Sequence, residues 1–234
     1  MRLSKKQVRA MTWWMPKSRD KGFDALVCDG AVRSGKTLAM GLGFFLWAMS
    51  CFSGRRFALC GKTRGGVRRN VVQELLPWLQ RLGMRVSERR AEGVLTVSFG
   101  KRENDFYLFG GKDEGSAALI QGMTLAGVFL DEVVLMPRSF VEQACARCSV
   151  EGSRLWFSCN PEGPQHWFYR EWILQADRRD CLREMDLYVW DPSAGGERVV
   201  KKNDHAMDDM RYFVTGVLAG GTGFYACAPE RRFE

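Results

Sequence analysis

The sequence predicts an α/β fold, in which a mainly parallel sheet is covered by helices on both faces. The first observation is the order of the chain, where short apolar runs typical of buried strands alternate with longer segments typical of helices. The second is the composition, since 46% of the 234 residues are hydrophobic and 12% are aromatic, enough for one large core. Several of the runs are apolar throughout, which favours parallel strands buried on both faces.

The elements are expected in alternation, with one antiparallel insert. Ser4 can cap a first helix that Pro16 ends, and a charged loop leads from it to the first strand. Predicted strands cover residues 25–29, 56–61, 95–99, 106–109, 126–131 and 154–159. Predicted helices cover residues 4–15, 36–51, 65–82, 137–148, 165–174 and 204–218. The helix over 36–51 is apolar all round, as expected for a helix packed against a sheet.

A phosphate-binding loop follows the first strand. Residues 30–37 read Gly-Ala-Val-Arg-Ser-Gly-Lys-Thr and match the pattern G-x-x-x-x-G-K-[ST] at every specified position. Gly30 and Gly35 let the backbone curl so that N–H groups converge on an anion, and Lys36 can reach the β and γ phosphates. The Thr37 hydroxyl can ligate Mg²⁺. A glycine-rich turn can match this pattern by chance, but the strand before and the helix after satisfy its context, so the sequence predicts nucleoside triphosphate binding.

Polar groups also close two later strands. Asp131 and Glu132 end an apolar run, where the first would orient Mg²⁺ and the second would activate or orient the attacking water. Ser158 and Asn160 end the next strand, at the edge where open α/β sheets bind ligands, and are positioned to sense the γ-phosphate. Taken alone, the acidic pair is equally typical of a solvated turn, and Asn160-Pro161 of a plain turn.

The charge balance favours a polyanionic partner. Lysine and arginine total 35 against 27 acidic residues, a net charge of +8, although a solvated basic surface would have the same composition. Sequence-independent contacts to nucleic-acid phosphates are expected on and after one strand, from Arg55, Arg56, Lys62, Arg64, Arg68 and Arg69.

The cysteines and the apolar segments indicate a soluble, cytoplasmic protein. Most of the eight cysteines lie in apolar runs and are expected as buried free thiols, among them Cys28, Cys51, Cys60 and Cys159. Cys145 and Cys148 form one C-x-x-C without a second ligand pair, which favours core packing over a zinc site. The N-terminus lacks an apolar signal core, and the apolar stretch over 39–52 is too short to span a bilayer.

Three segments together resemble the large subunit of a tailed-phage terminase, of the PBSX-like type. They are the phosphate loop, the run Val-Phe-Leu-Asp-Glu-Val, and Ala-Arg-Cys-Ser followed by Cys-Asn-Pro-Glu-Gly-Pro-Gln-His-Trp-Phe-Tyr. The likeness extends over about residues 3–174. It implies a P-loop NTPase fold of the ASCE (RecA-like) type, and a motor that uses ATP and Mg²⁺ to thread double-stranded DNA into a procapsid. The implied partners are DNA, the terminase small subunit and the portal protein, with subunits forming a ring on the portal in the host cytoplasm.

The resemblance also implies a role for each site residue. Gln7 would approach adenine, although a solvated helical glutamine is an equally good interpretation. Arg33 would stabilise γ-phosphate charge, and Ser158 to Asn160 would couple hydrolysis to movement. The nucleotide-binding set is Gln7, Gly30, Arg33, Ser34, Gly35, Lys36 and Thr37, with Asp131 at the metal and Glu132 and Arg33 in catalysis. Arg147 is a weaker candidate for an arginine reaching a neighbouring subunit.

The likeness resumes near the end of the chain, at the last part of the family's RNase H-like nuclease. Asp208 matches a final metal-binding aspartate, with His205 beside it. Such a domain needs on the order of 100 residues, and about 60 remain after Leu174. We therefore expect an ATPase domain over 1–176, a nuclease remnant over 177–234 and no endonuclease activity.

Three other functions remain open from the sequence alone. One is a helicase-like ATPase that remodels nucleic acid, and another is a defective prophage remnant that binds nucleotide or DNA without turnover. A small-molecule kinase is the third, although the adjacent Asp131 and Glu132 favour ATPases that act on polymers.

Overall fold

The computed structural model describes residues 4–30, 35–160, 163 and 165–173, together with the backbone of 213–218 and 224–227. Its strands form one mixed sheet. Seven of them lie between Phe23 and Cys159: β1 Phe23–Asp29, β2 Arg56–Gly61, β3 Arg85–Arg89, β4 Val94–Phe99, β5 Arg102–Gly110, β6 Gly127–Leu130 and β7 Arg154–Cys159. Two more, β8 Phe213–Leu218 and β9 Phe224–Cys227, extend one edge.

The described helices are α1 Lys5–Thr12, α2 Lys36–Cys51, α3 Arg64–Val67, α4 Gln73–Arg81 and α5 Arg138–Ala146. A π-helical segment, Arg68–Val72, joins α3 to α4, and another covers Tyr169–Ile173. Short 3₁₀ turns cover Glu114–Leu119 and Val133–Leu135. None of the described helices has both the length and the apolar character that crossing a membrane requires.

The strand order across the sheet is β3-β4-β5-β2-β6-β7-β1-β8-β9. Strands β5, β2, β6, β7 and β1 pair in parallel, while β3, β4 and β5 form an antiparallel insert at one edge. The predicted α/β architecture with one antiparallel insert is confirmed. Because β7 lies between β1 and β6, the carboxyl ends of these three strands meet at one edge of the sheet.

Two apolar layers cover the sheet, one on each face. Side chains alternate along each strand, so that Leu26 and Trp156 face α2 and α4 while Val27 and Phe157 face α5. The α2 layer is dominated by aromatic rings, with Phe44 in contact with the rings of Trp47, Phe57, Phe106, Phe129 and Trp156. The predicted helices on both faces are therefore present, and they fix the strand ends that carry the site.

Helix α1 is held against α2 and the loop before β1. A methyl group at Gly43 of α2 would lie 2.8 Å from the Met11 Cα, so only glycine permits this approach. Arg9 donates two hydrogen bonds of 2.7 Å to the buried carboxylate of Asp20. The Trp13 ring packs against Trp156 with centroids 5.1 Å apart. The predicted first helix is thus confirmed, although it ends at Thr12 rather than near Met15.

Three features differ from the sequence prediction. The predicted helix over 65–82 contains the π-helical segment, where the Gln73 N–H bonds the Arg68 carbonyl. Strand β3 was not predicted, because Val86 is its only apolar residue and its pairing with β4 is what orders it. The helix predicted over 204–218 is wrong at its end: residues 213–218 pair with β1 as a strand. Phe213, Val214, Thr215 and Val217 favour a strand, and Gly216 disfavours a helix interior.

The cysteine prediction is largely confirmed. Cys28, Cys60 and Cys159 are buried free thiols, while Cys51 is exposed at the end of α2, contrary to expectation. Cys145 and Cys148 pack against the α5 layer, and burial raises the pKa of each thiol. Among the described residues, no group of three metal-ligating side chains gathers there or elsewhere.

Candidate nucleotide-binding site

The predicted site residues meet at the carboxyl edge of β1, β7 and β6. Gly30 follows β1, Asn160 follows β7, and Asp131 and Glu132 follow β6. Helix α2 begins at this edge from Gly35, whose φ of 75° is left-handed and suits glycine. The phosphate loop, the acidic pair and the polar end of β7 are therefore neighbours in space, although up to 130 residues separate them in the chain.

Lys36 is the buried cation of this site, with only 6% of its surface exposed. Its Nζ donates to the Gly30 carbonyl at 3.0 Å and to Asn160 Oδ1 at 2.5 Å. Burial lowers the pKa of Lys36, and the carboxylates of Asp29 and Asp131 partly oppose that shift. A buried ammonium held by neutral oxygens is well suited to donate hydrogen bonds to phosphate oxygens in their place.

Asp131 is the buried carboxylate opposite Lys36. Its Oδ1 accepts hydrogen bonds from Ser158 Oγ at 2.6 Å and from Thr37 Oγ1 at 2.9 Å. Burial raises the pKa of Asp131, while these two hydroxyls and the Lys36 charge act in the opposite direction. A carboxylate and a hydroxyl oxygen side by side are the hard ligands that Mg²⁺ takes in proteins. The donor set therefore fits a magnesium ion held by Asp131 and Thr37, whose charge would favour the ionised Asp131.

Glu132 has the only positive φ of any described residue other than glycine, at 53°. This left-handed conformation is unfavourable for glutamate and occurs where the surrounding structure imposes it. Its backbone N–H donates to Ser158 Oγ at 3.1 Å, and Asn160 Nδ2 lies 3.5 Å from its Oε1. Ser158 thus bonds both acidic residues, while Asn160 contacts both Glu132 and Lys36.

The Asn160→Ala change is expected to tighten binding of ADP roughly three- to tenfold, the effect of losing one competing hydrogen bond. In the structure the Lys36 ammonium donates a hydrogen bond to Asn160 Oδ1, and this bond competes with the one that Lys36 would donate to a phosphate oxygen. ADP is the suitable probe because it has no γ-phosphate for Asn160 to contact. Fluorescence titration of wild type, Asn160→Ala and Asn70→Ala, an exposed asparagine in the π-helical segment, measures the effect. Weaker ADP binding by Asn160→Ala alone would instead identify Asn160 as a phosphate ligand.

Gln7 has a local structural role at the start of α1. The Ser4 N–H donates to its Oε1 at 2.8 Å, and the Gln7 N–H donates to Ser4 Oγ at 3.2 Å. This reciprocal capping box satisfies two backbone N–H groups at the helix start. The contact of Gln7 with adenine stays a prediction.

Several predicted residues lie elsewhere. Arg33, Ser34, His205 and Asp208 fall outside the described residues. Arg147 follows α5, and its carbonyl accepts a hydrogen bond of 2.9 Å from the N–H of Leu125, just before the amino end of β6. At about 3.3 Å per strand residue, Leu125 is roughly 20 Å from Asp131 at the other end of β6. Arg147 therefore does not act at the nucleotide site of its own chain, and a role at a neighbouring subunit stays a prediction.

Asp29 is a site residue that the sequence reasoning missed. It ends β1 directly before Gly30, is 3% exposed, and accepts from the Cys159 thiol at 3.6 Å. Its charge is also one of those that oppose the lowered pKa of Lys36. The available signal was an acidic residue closing an apolar strand immediately before a phosphate loop, the same kind of signal that marked Asp131.

Comparison with known proteins places this geometry in context. Residues 27–207 match the family model described as "Terminase large subunit, T4likevirus-type, N-terminal". A large terminase from a thermophilic bacteriophage is 51% identical, with a TM-score of 0.72, and the match covers 75% of this chain and 43% of that one. Structures of the same terminase with ADP and with ATP-γ-S match at 49% and 48% identity, with TM-scores of 0.73 and 0.70.

A more distant match supports the fold alone. The large terminase ATPase domain of Thermus phage P74-26 is 20% identical with a TM-score of 0.53, and the match covers 76% of this chain and 77% of that one. No curated protein matches the chain. The family match is to the T4likevirus-type model and leaves the predicted PBSX-like subtype untested. The chain spans less than half the length of the thermophilic phage terminase.

Proposed function

We propose that this chain, which belongs to the terminase large subunit family, is the ATP-hydrolysing motor domain of a phage or prophage DNA-packaging machine. The observation that carries the proposal is the site itself. Lys36 and Thr37, at the start of α2, meet Asp131 and Glu132, at the end of β6, at one edge of the sheet. The thermophilic phage terminase, whose structure was determined with ADP and with ATP-γ-S, supports nucleotide binding at the corresponding domain.

Each residue has a distinct part in this proposal. Gly30, Ser34, Gly35 and Lys36 bind the phosphates, with Gln7 at the adenine and Arg33 at the developing γ-phosphate charge. Asp131 and Thr37 hold Mg²⁺, which when bound neutralises charge on the β and γ phosphates. Glu132 orients the attacking water and accepts its proton. Ser158 bonds both acidic residues and Asn160 contacts Lys36, which supports a part for both in relaying loss of the γ-phosphate.

The partners follow from the family. We propose that the chain acts on double-stranded DNA with a small subunit and a portal protein, as one member of a ring, in the cytoplasm of a bacterial host. The net charge of +8 supports a polyanionic substrate. We propose no membrane partner for the chain.

Measuring ATP turnover with and without long double-stranded DNA tests this function. We expect Mg²⁺-dependent hydrolysis that DNA stimulates, and none in a Lys36→Ala control prepared identically. A folded protein with no turnover in either condition would favour the prophage remnant. Extensive unwinding of a forked duplex would favour the helicase-like ATPase, and transfer of phosphate to a metabolite would favour a kinase.

We further propose that these 234 residues have no endonuclease activity. A two-metal nuclease needs carboxylates from several strands to hold two cations about 4 Å apart. After Leu174 the likeness supplies one metal-binding match, Asp208, with His205, Asp204 and Asp209 close by in the chain. Asp186 and Asp191, earlier in the chain, would add at most one weak metal site and not a complete pair. Supercoiled plasmid incubated with the protein in Mg²⁺ or Mn²⁺ should remain uncut, with Asp208→Ala as the control. Metal-dependent nicking that disappears in Asp208→Ala would contradict this proposal.

A further inference from the structure

The basic side chains predicted to contact DNA lie at two ends of one strand. Arg55 and Arg56 are exposed at the start of β2, while Lys62 and Arg64 are exposed just past its end. At about 3.3 Å per residue, the two ends of this strand are roughly 20 Å apart. Arg68 donates to both oxygens of Glu88, at 2.6 and 3.1 Å, and so is neutralised within the chain. The predicted contacts therefore form no single patch.

A groove lies at the end where Lys62 and Arg64 are found. Its volume is 460 Å³, and a third cation, Lys112, comes to it from the segment after β5. Apolar side chains also line it, namely Phe109 and Leu119, the latter 60% exposed. Lys112 is far from Lys62 in the chain, but the pairing of β5 with β2 places the two beside each other.

The acidic residues of the groove already have partners. Glu92 forms an ion pair with Arg89 at 2.9 Å. Asp113 caps a 3₁₀ turn, where it accepts from the Ser116 N–H at 3.1 Å. Lys62 and Lys112 are exposed beside them. The groove therefore presents three cations above an apolar floor, while Glu92 is paired with Arg89 and Asp113 is held in the cap of the 3₁₀ turn.

We propose that this groove binds the phosphate backbone of duplex DNA, with Lys62, Arg64 and Lys112 as the contacts. The inference rests on the proposed function for the identity of the polymer. Lysine is depleted in protein–protein interfaces, whereas lysine and arginine supply most of the contacts to nucleic-acid phosphates. The stems of the cations and the Leu119 side chain suit the apolar faces of the sugars.

The groove is joined to the nucleotide site by backbone hydrogen bonds. The Asp131 N–H donates to the Cys60 carbonyl at 2.8 Å, and the Gly111 N–H donates to the Gly61 carbonyl at 2.8 Å. Cys60 and Gly61, at the end of β2, therefore connect Asp131 to the segment that carries Lys112. This continuity is a physical route by which DNA in the groove would affect the nucleotide site.

Comparing two double variants with equal change in charge tests the groove. We expect Lys62→Ala/Lys112→Ala to weaken binding of a fluorescent duplex of about 30 base pairs by roughly tenfold or more at about 0.1 M salt, and to reduce the log–log salt slope by about 1.8. Lys17→Ala/Lys21→Ala removes the same charge from the exposed loop before β1, outside the predicted DNA contacts, and should keep the wild-type slope. Thermal unfolding of both variants establishes that each is folded.

The outcomes separate this inference from the proposed function. Equal losses in the two variants, or an unchanged slope in Lys62→Ala/Lys112→Ala, would overturn the groove while leaving a DNA-binding ATPase intact. A wild-type protein that binds no DNA and hydrolyses no ATP would instead overturn the proposed function. Preferential binding of a polyglutamate peptide over the duplex would show that the groove takes an acidic protein segment, and this too would overturn the inference.

Discussion

The Lys36→Ala protein is expected to lose at least about a hundredfold in affinity for Mg·ATP, because charge-assisted hydrogen bonds to the phosphates are the strongest contacts available. The ammonium is held between Gly30 and Asn160, and Lys36 is the one lysine or arginine buried among the residues that the structure describes. Its removal also takes away a positive charge that acts on the buried carboxylates of Asp29 and Asp131. They would then repel the phosphates that the site has to accept.

Titration with a fluorescent ATP analogue measures this loss. Lys101→Ala, which removes an exposed lysine from the turn between β4 and β5, is the matched control and should bind as wild type does. Lys36→Met keeps most of the side-chain volume and should lose the same affinity, which separates the lost charge from any packing defect. If Lys36→Ala and Lys36→Met both bind Mg·ATP normally while folded, the phosphates lie elsewhere and the proposed function fails.

Much of this site could be predicted because its signals are local. The phosphate loop is a continuous pattern whose meaning depends only on the strand before it and the helix after it, and α2 begins at Lys36 as expected. The acidic pair and the polar end of β7 were identified in the same way, each at the end of an apolar run. Parallel strands end at a common edge, so separate local signals converged on one place.

What the sequence could not supply is which strands are neighbours. The order that places β7 between β1 and β6 explains why Asn160 contacts both Lys36 and Glu132, and no local pattern encodes it. The same holds for β3, whose polar residues become a strand only through pairing with β4. It also holds for the basic residues around β2. They are close together in the sequence, but the extended strand places them at its two opposite ends.

Non-local packing also decided the two errors near the ends of elements. The apolar residues of 213–218 have spacing compatible with a helix, yet the segment pairs with β1 on the side opposite β7. Cys51 follows an apolar run that suggested burial, but it lies in the last turn of α2, where the helix leaves the core. At Cys51 the position of the residue in the layers outweighed the composition of the run. At 213–218 the pairing with β1 agrees with the composition of the segment and outweighed only its helical spacing.

The Glu132→Gln protein is expected to bind Mg·ATP as wild type does and to hydrolyse it about 10²- to 10⁴-fold more slowly, which is the usual cost of losing a general base. Glutamine has the same shape as glutamate and accepts the left-handed φ of 53° at equal cost. The backbone N–H of residue 132 would still donate to Ser158, so Asp131 keeps its hydrogen bond from that hydroxyl. The site loses only the charge that withdraws a proton from water.

Single-turnover phosphate release, with nucleotide affinity measured on the same sample, separates binding from chemistry. Glu74→Gln, an exposed glutamate on α4, is the matched control and should leave the rate unchanged. Asp131→Asn should behave differently from Glu132→Gln, since an amide at the metal position weakens Mg²⁺ binding and therefore the affinity for Mg·ATP as well. A Glu132→Gln protein that hydrolyses at the wild-type rate would show that another residue activates the water. The strained backbone at position 132 would then have to be explained by its hydrogen bond to Ser158 alone.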